Sequence, residues 1–218
     1  MVRMREVELN HENELIQIND VTVEFDGKLV LDHITLCLER GQRLALMGPS
    51  GVGKSTLLRL LAGLVEPTSG NVERRGSVSM VFDRDGLYPM LTGSENVELG
   101  VDWAQMKKTR RRQEAGNWIH IFDADSFAHQ KTRTLSAGQR KRIALARAMM
   151  KKPDLLLLDE TFHALDKTLR LQLMETILRL QKEMGFALVF ATHDPAEAEL
   201  LDAQVLYLED EKPLQETC

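Results

Sequence analysis

The chain has 218 residues, 43% of them hydrophobic, 28% charged and 5% aromatic, with a net charge of −5. That is enough apolar material for one well-buried core, which excludes a disordered chain. The negative balance argues against a general nucleic-acid binder, whose field would be positive, so no nucleic-acid partner is expected.

The two cysteines, Cys37 and Cys218, build neither a disulfide framework nor a zinc site, as expected in a reducing compartment. Met1–Glu14 carries polar and charged residues throughout and reads as a leader without the apolar stretch of a secretory signal. Leu15–Phe25 then alternates as a strand does, with Ile16, Ile18, Val21, Val23 and Phe25 spaced by polar residues. Asp26-Gly27 is a turn signal, and Leu29–Leu38 is a second strand-like stretch. A third, Arg43–Met47, runs into a glycine-rich loop, after which Ser55–Leu64 places leucines at helical spacing. Gly63 and Pro67-Thr68-Ser69-Gly70 end that helix. Thr92–Ser136 reads as mostly helical and polar, a lobe inserted into the core. Leu155–Leu158 and Ala187–Ala191 are continuous apolar runs separated by a helical pattern from Leu169 to Met184, a βαβ unit of a buried parallel sheet. No apolar run is long enough to cross a bilayer.

Gly48-Pro49-Ser50-Gly51-Val52-Gly53-Lys54-Ser55 fits the phosphate-binding pattern G-x-x-x-x-G-K-[ST]. Its glycines let backbone N–H groups crowd around phosphate oxygens, and the helix that starts there points its positive dipole end at them. Lys54 supplies a point charge for the β- and γ-phosphates, and the Ser55 hydroxyl can ligate Mg²⁺. Leu155–Leu158 delivers Asp159 and Glu160 at a strand's C-terminal end, where α/β sheets place ligands. Asp159 suits Mg²⁺, and Glu160 suits a general base for the attacking water.

Leu135-Ser136-Ala137-Gly138-Gln139-Arg140 resembles the signature Leu-Ser-Gly-Gly-Gln of the ABC ATPases, with Ala137 in the second glycine's place. A serine and small residues opening the helix Arg140–Met150 form a second anion site, with Ser136 also its N-cap. The resemblance covers nearly the whole chain. It implies a P-loop α/β core with an N-terminal antiparallel β region and a helical subdomain over residues 92–136, all within one ABC ATPase domain over residues 15–218. Phe25 falls where the family stacks an aromatic on adenine, although a core phenylalanine has the same appearance in sequence. The resemblance adds Thr56 to the nucleotide loop and assigns Ala164-Leu165-Asp166 to the dimer contact. It makes His193, in Thr192-His193-Asp194, the switch histidine. Met80-Val81-Phe82-Asp83 through Leu91-Thr92 and Glu95-Asn96-Val97 correspond to the loop that meets the membrane subunit.

Three positions depart from the family pattern: Asp83 for a glutamine beside the metal, Thr161 for a proline, and Ala137. The last two are small changes of shape, whereas Asp83 adds charge where Mg²⁺ binds. The resemblance implies ATP and Mg²⁺ as ligands, with Ser55, Asp83 and Asp159 at the metal. Its partners are a second ATP-binding subunit and a transmembrane permease, and it places the chain at the cytoplasmic face of the inner membrane. Import of small solutes is the expected direction. The rivals are a soluble ABC ATPase uncoupled from transport and a subunit that holds ATP with weak hydrolysis. The basic run Lys107, Lys108, Arg110, Arg111 and Arg112 is either a solvated helix face or a contact for anionic lipid.

Overall fold

Strand β1 (Glu14–Phe25) turns back into β2 (Lys28–Glu39) through Asp26 and Gly27, both with positive φ, at 51° and 77°. This is the two-residue hairpin turn whose twist matches the flanking strands, with Phe25 opposite Lys28. The computed structural model describes residues 13–104, 106–163 and 165–209. Most of the polar leader, Ala164 of the expected dimer-contact loop, and Cys218 lie outside them.

Two sheets organise the chain. β1 is the middle strand of a three-stranded antiparallel sheet, between β2 and β4 (Ser69–Arg74). The second sheet is five-stranded and parallel, and it comprises β5 (Val78–Val81), β6 (Leu155–Asp159), β7 (Ala187–Ala191), β3 (Arg43–Met47) and β8 (Gln204–Tyr207), in that order across the sheet. The apolar runs are continuous because both faces of this sheet are covered. Leu156 and Leu158 of β6 join the cluster on the helical side, while Leu155 and Leu157 face the antiparallel sheet and α1 (Lys54–Leu61). β7 divides in the same way, with Leu188 and Phe190 on one side and Ala187, Val189 and Ala191 on the other.

The inserted lobe contains α2 (Gly93–Glu98), α3 (Lys108–Ile121) and a short 3₁₀ turn (Thr132–Thr134), and it leads into α4 (Ala137–Met149). An isolated bridge between Thr92 and Lys131 closes its base. The basic run is not a uniformly solvated face. Arg111 is buried, donates to Glu98 at 3.0 Å and stacks 4.2 Å from the Trp103 ring centre, whereas its basic neighbours are exposed. After β6, α5 (Lys167–Met184) returns the chain to β7, and α6 (Pro195–Leu200) follows β7 before β8. α1 ends about a turn earlier than its leucine spacing predicts, because Gly63 takes a left-handed φ of 69° and Leu64 is already exposed. No helix among the described residues is long and apolar enough to cross a membrane.

Candidate nucleotide-binding site

The loop Gly48–Gly53 joins the C-terminal end of β3 to the first turn of α1. Gly48, Gly51 and Gly53 have φ of 138°, 84° and 108°, in the region that side chains disfavour. At Gly48 space forbids a side chain as well: a Cβ there would sit 2.2 Å from the Leu208 carbonyl oxygen. Gly53 stands at the N-cap of α1 with no side-chain cap, so the first amides of that helix are left for another acceptor. Lys54 is buried and its Nζ donates to the Gly48 and Pro49 carbonyls, both at 2.8 Å. Burial lowers its pKa, and the charges of Glu160 and Asp159 pull it back up. Ser50, Val52 and Thr56 complete the loop and the helix start.

Asp159, the last residue of β6, accepts the Ser55 hydroxyl at 2.8 Å. Burial raises its pKa. The Ser55 bond and Arg59 oppose that shift, and the charges of Glu160 and Asp83 add to it. Ser55 and Asp159 are therefore adjacent hard oxygen donors whose negative charge is under-compensated, which suits a hard divalent cation. No cluster of three or more His, Cys, Asp or Glu side chains among the described residues makes a protein-only cage.

Glu160 follows with φ 43°, an uncommon backbone for a glutamate and one that ends the strand geometry of β6. Its Oε1 lies 2.9 Å from His193 Nε2. His193 follows β7 directly, and β6 and β7 are hydrogen-bonded neighbours, so the strand pairing places this contact. Thr161 beside them is almost fully buried, and its hydroxyl has no hydrogen-bond partner. The fold thus tolerates the change from proline at the cost of one unsatisfied polar atom.

Phe25 is 46% exposed at the end of the β1–β2 hairpin, so the core-residue alternative does not describe it. Ser136 caps α4 in a capping box: its Oγ accepts from the Gln139 amide at 3.2 Å, and its own amide donates to Gln139 Oε1 at 2.9 Å. Ser136, Gly138, Gln139 and Asp166 line one cavity of about 340 Å³. Ala137 lines another of about 470 Å³ together with Asp83 and Glu160. Neither cavity includes a residue of the phosphate loop. Asp166 caps α5 by accepting from the Leu169 amide at 3.0 Å.

Asp83 follows β5, and its side chain makes no hydrogen bond to Ser55 or Asp159 among the described residues. Its carbonyl accepts from Lys141 Nζ at 2.8 Å, as does that of Phe82. Lys141 is buried on α4, 3.6 Å from an Asp85 carboxylate oxygen, and burial lowers its pKa against the charges of Asp85 and Asp83. Sequence reasoning missed this lysine. The available signal was a cation three residues before Ala144 and four before Leu145, on a stripe otherwise facing the core. It also missed Arg170 and Glu197, which close a network behind His193.

A parallel sheet whose strand β3 feeds a glycine-rich phosphate loop, with an antiparallel flank and an inserted helical lobe, is the architecture of an ATP-binding cassette. The family model for ABC transporters matches residues 31–163. The chain belongs to that family. It is 36% identical to a spermidine/putrescine import ATP-binding protein of Marinobacter nauticus over 90% of this chain and 56% of the relative. It is also 36% identical to a probable sulfate/thiosulfate import ATP-binding protein of Chlorella vulgaris, over 92% of this chain and 89% of that protein. An Fe(3+) ions import ATP-binding protein of Brucella abortus is again 36% identical, and the chain spans 58% of its length. The chain thus spans little more than half of several curated relatives. Among solved structures, a dimeric ATP-binding cassette in a post-hydrolysis state with ADP and phosphate superposes with a TM-score of 0.80 at 29% identity, covering 93% of this chain and all of that one.

Proposed function

We propose that the chain is the ATP-hydrolysing motor of an importer, pairing with a second cassette around two ATP molecules and driving a separate membrane-spanning partner. The observation that carries this reading is the convergence of Lys54, Ser55, Asp159, Glu160 and His193 at the C-terminal ends of β3, β6 and β7, with Glu160 and His193 in contact. In this reading the backbone N–H groups of residues 50–56 cradle the phosphates, and Lys54 exchanges the Gly48 and Pro49 carbonyls for phosphate oxygens. Ser55 and Asp159, with Asp83 nearby, would hold Mg²⁺, whose chemistry is to screen the charge of the β- and γ-phosphates. Glu160 takes the proton of the attacking water, and His193 holds that carboxylate in place and faces the γ-phosphate.

Ser136, Ala137, Gly138, Gln139 and Asp166 belong to the second half of a composite site. Ser136, Gly138, Gln139 and Asp166 line a cavity that includes none of the chain's own phosphate-loop or carboxylate residues, which supports their serving the nucleotide of a partner cassette, with Ala137 between them in sequence. Ser136 uses an oxygen lone pair for its cap and keeps its hydroxyl hydrogen for a γ-phosphate oxygen. The permease would dock on a groove of about 490 Å³ that includes Leu64, Met80, Phe82, Tyr88 and Leu99. Leu64, Tyr88 and the nearby Met90 are large apolar side chains left exposed there. That partner places the chain at the cytoplasmic face of the membrane, and the import names of its relatives favour uptake of a small solute.

Glu160→Gln keeps the shape and removes the base. Turnover of ATP should fall by roughly 10²-fold or more while ATP still binds. An ATP-dependent dimer should then accumulate on gel filtration. Wild-type turnover in that variant would overturn the assignment.

A further inference from the structure

A closed polar network stands directly behind His193. Thr192, buried at the end of β7, donates its hydroxyl to Glu197 Oε2 at 2.7 Å and accepts the Asp194 amide at 3.0 Å. Glu197 is buried on α6, and its other oxygen, Oε1, lies 3.4 Å from Arg170 Nη1. The same Arg170 nitrogen reaches Asp194 Oδ2 at 3.2 Å, and Asp194 Oδ1 caps the Ala196 amide at 3.0 Å. Both neighbours of His193 in sequence are thereby tied to one buried carboxylate and one guanidinium. Glu160, Arg170, Thr192, His193, Asp194 and Glu197 line a single cavity of about 300 Å³.

We infer that Glu197 and Arg170 are positioning residues for His193, linking its orientation to the loop that begins α5. The inference rests on the functional reading of Glu160 and His193 given above. The linkage is short. Arg170 lies one turn into α5, and its amide bonds to the Asp166 carbonyl at 2.9 Å, so the guanidinium moves with the residue that caps the helix. At the other end, Thr192 is fixed to the sheet by its amide on the Leu46 carbonyl at 3.1 Å. Among the described residues the imidazole bonds only to Glu160, so the backbone at Thr192 and Asp194 is what aims the ring at that partner. Displacing Asp166 would pull Arg170 from Glu197 and Asp194, and the turn carrying His193 would be released from Glu160.

A buried carboxylate that served stability alone would be a poor choice here. Burial pushes the Glu197 carboxyl above its usual range, with the Thr192 bond and Arg170 only partly opposing this. Its charge is therefore disfavoured where the network holds it, a placement that geometry explains better than packing does.

The test measures ATP turnover, KM and melting temperature for Glu197→Ala, Glu197→Gln, Arg170→Ala and Thr192→Val, each alone and combined with His193→Ala. Positioning predicts that kcat falls by roughly tenfold in Glu197→Ala and Arg170→Ala with KM within about twofold. Glu197→Gln, which keeps the shape and can still bond Thr192, should recover most of the loss. In the His193→Ala background the same changes should cost little more, because they act through the missing ring. Thr192→Val keeps the volume and removes the hydroxyl, so it tests the link even where Glu197→Ala fails to fold. Wild-type turnover in Glu197→Ala or Thr192→Val, or losses as large without His193 as with it, would overturn the inference alone. Undiminished turnover in His193→Ala itself would overturn the reading of the site beneath it.

Discussion

The two acidic regions next to the nucleotide site are held in place by different means. Asp159 and Glu160 are carried by the continuous backbone of β6, locked between β5 and β7 in a sheet buried on both faces. The loop after β5, from Phe82 to Pro89, has no such ladder. It is pinned from α4 instead, by Lys141 on the Phe82 and Asp83 carbonyls, by Arg140 on Asp85 at 2.8 Å, and by Arg147 on the Asp85 and Gly86 carbonyls at 2.9 and 2.8 Å. At the other end, Asn96 takes the Tyr88 amide at 2.8 Å and returns a bond to the Tyr88 carbonyl. Reactive groups thus sit on the rigid sheet, and the loop expected to meet the permease hangs on side-chain cations from the lobe that carries Ser136. A rigid movement of α4 therefore moves this loop with it.

The sharpest way to break the comparison is at the sheet. Asp159→Asn should reduce Mg²⁺-dependent turnover by roughly 10²-fold or more, since on the proposed reading it removes a charged oxygen donor for Mg²⁺. Stability should not fall. A carboxyl whose pKa is raised in the fold contributes stability at low pH and loses it as pH rises through the folded pKa, so at neutral pH the charge is a cost. Calorimetry without Mg²⁺ should show a melting temperature equal to or above wild type. A clear decrease would mean that Asp159 holds the structure together as the loop cations do.

Next in size is Phe25, which ends β1 in the antiparallel sheet. Being exposed, it contributes little to the core, so Phe25→Ala should leave the melting temperature nearly unchanged. Stacking on a purine is worth about 1–3 kcal/mol, so ATP affinity should weaken by roughly 5- to 150-fold. GTP should compete with ATP, because a stacking platform reads area rather than exocyclic groups. Equal ATP affinity in wild type and variant would remove Phe25 from the site.

How much of this was readable in the sequence follows from the same division. The phosphate loop, β6, β7 and the residues at their ends were legible because glycine chemistry and continuous apolar runs are local signals, and strand pairing then brings the distant pieces together. β3 and β7 fall on the residues their sequence pattern predicts. The Asp26-Gly27 hairpin was equally local. The loop pins were not, because Lys141 meets Phe82 across 59 positions and Arg140 meets Asp85 across 55. Nothing local distinguishes a lysine that reaches a carbonyl from one that reaches water. Arg170 and Glu197 were hidden for the same reason, since α5 and α6 are brought together only by the fold.

Lys141 is the place to break the loop side. Lys141→Met keeps most of the aliphatic length and removes the cation, leaving the Phe82 and Asp83 carbonyls without their donor and Asp85 with Arg140 alone. That should cost about 1–3 kcal/mol, or roughly 2–4 °C in melting temperature for each kcal/mol. Hydrolysis by the isolated cassette should fall less than tenfold, because Glu160 and His193 are set by the sheet. If instead turnover collapses with no loss of stability, the loop takes a direct part in chemistry and the division drawn above is wrong.

The smallest expected effect belongs to Asp83, where the two regions come closest. Its charge contributes to raising Asp159, yet its side chain makes no bond to the metal-site oxygens, and buried Lys141 beside its carbonyl offsets part of the field. A partly compensated charge without a direct bond to the site corresponds to about 1 kcal/mol or less, so the change should stay within about fivefold. An asparagine keeps the shape and removes the charge. Without Mg²⁺, ATP should therefore bind a few-fold more tightly to Asp83→Asn than to wild type, because one negative charge no longer opposes the phosphates. With Mg²⁺ the difference should shrink or reverse, because the cation neutralises that field and a carboxylate that reaches it is the better ligand. The Mg²⁺ dependence should thus be steeper in wild type. Titrating ATP against both proteins, with Mg²⁺ and with a chelator, measures the four affinities needed. Identical values under both conditions would mean that Lys141 and solvent cancel the Asp83 charge entirely, and that the loop meets the nucleotide site through its backbone alone.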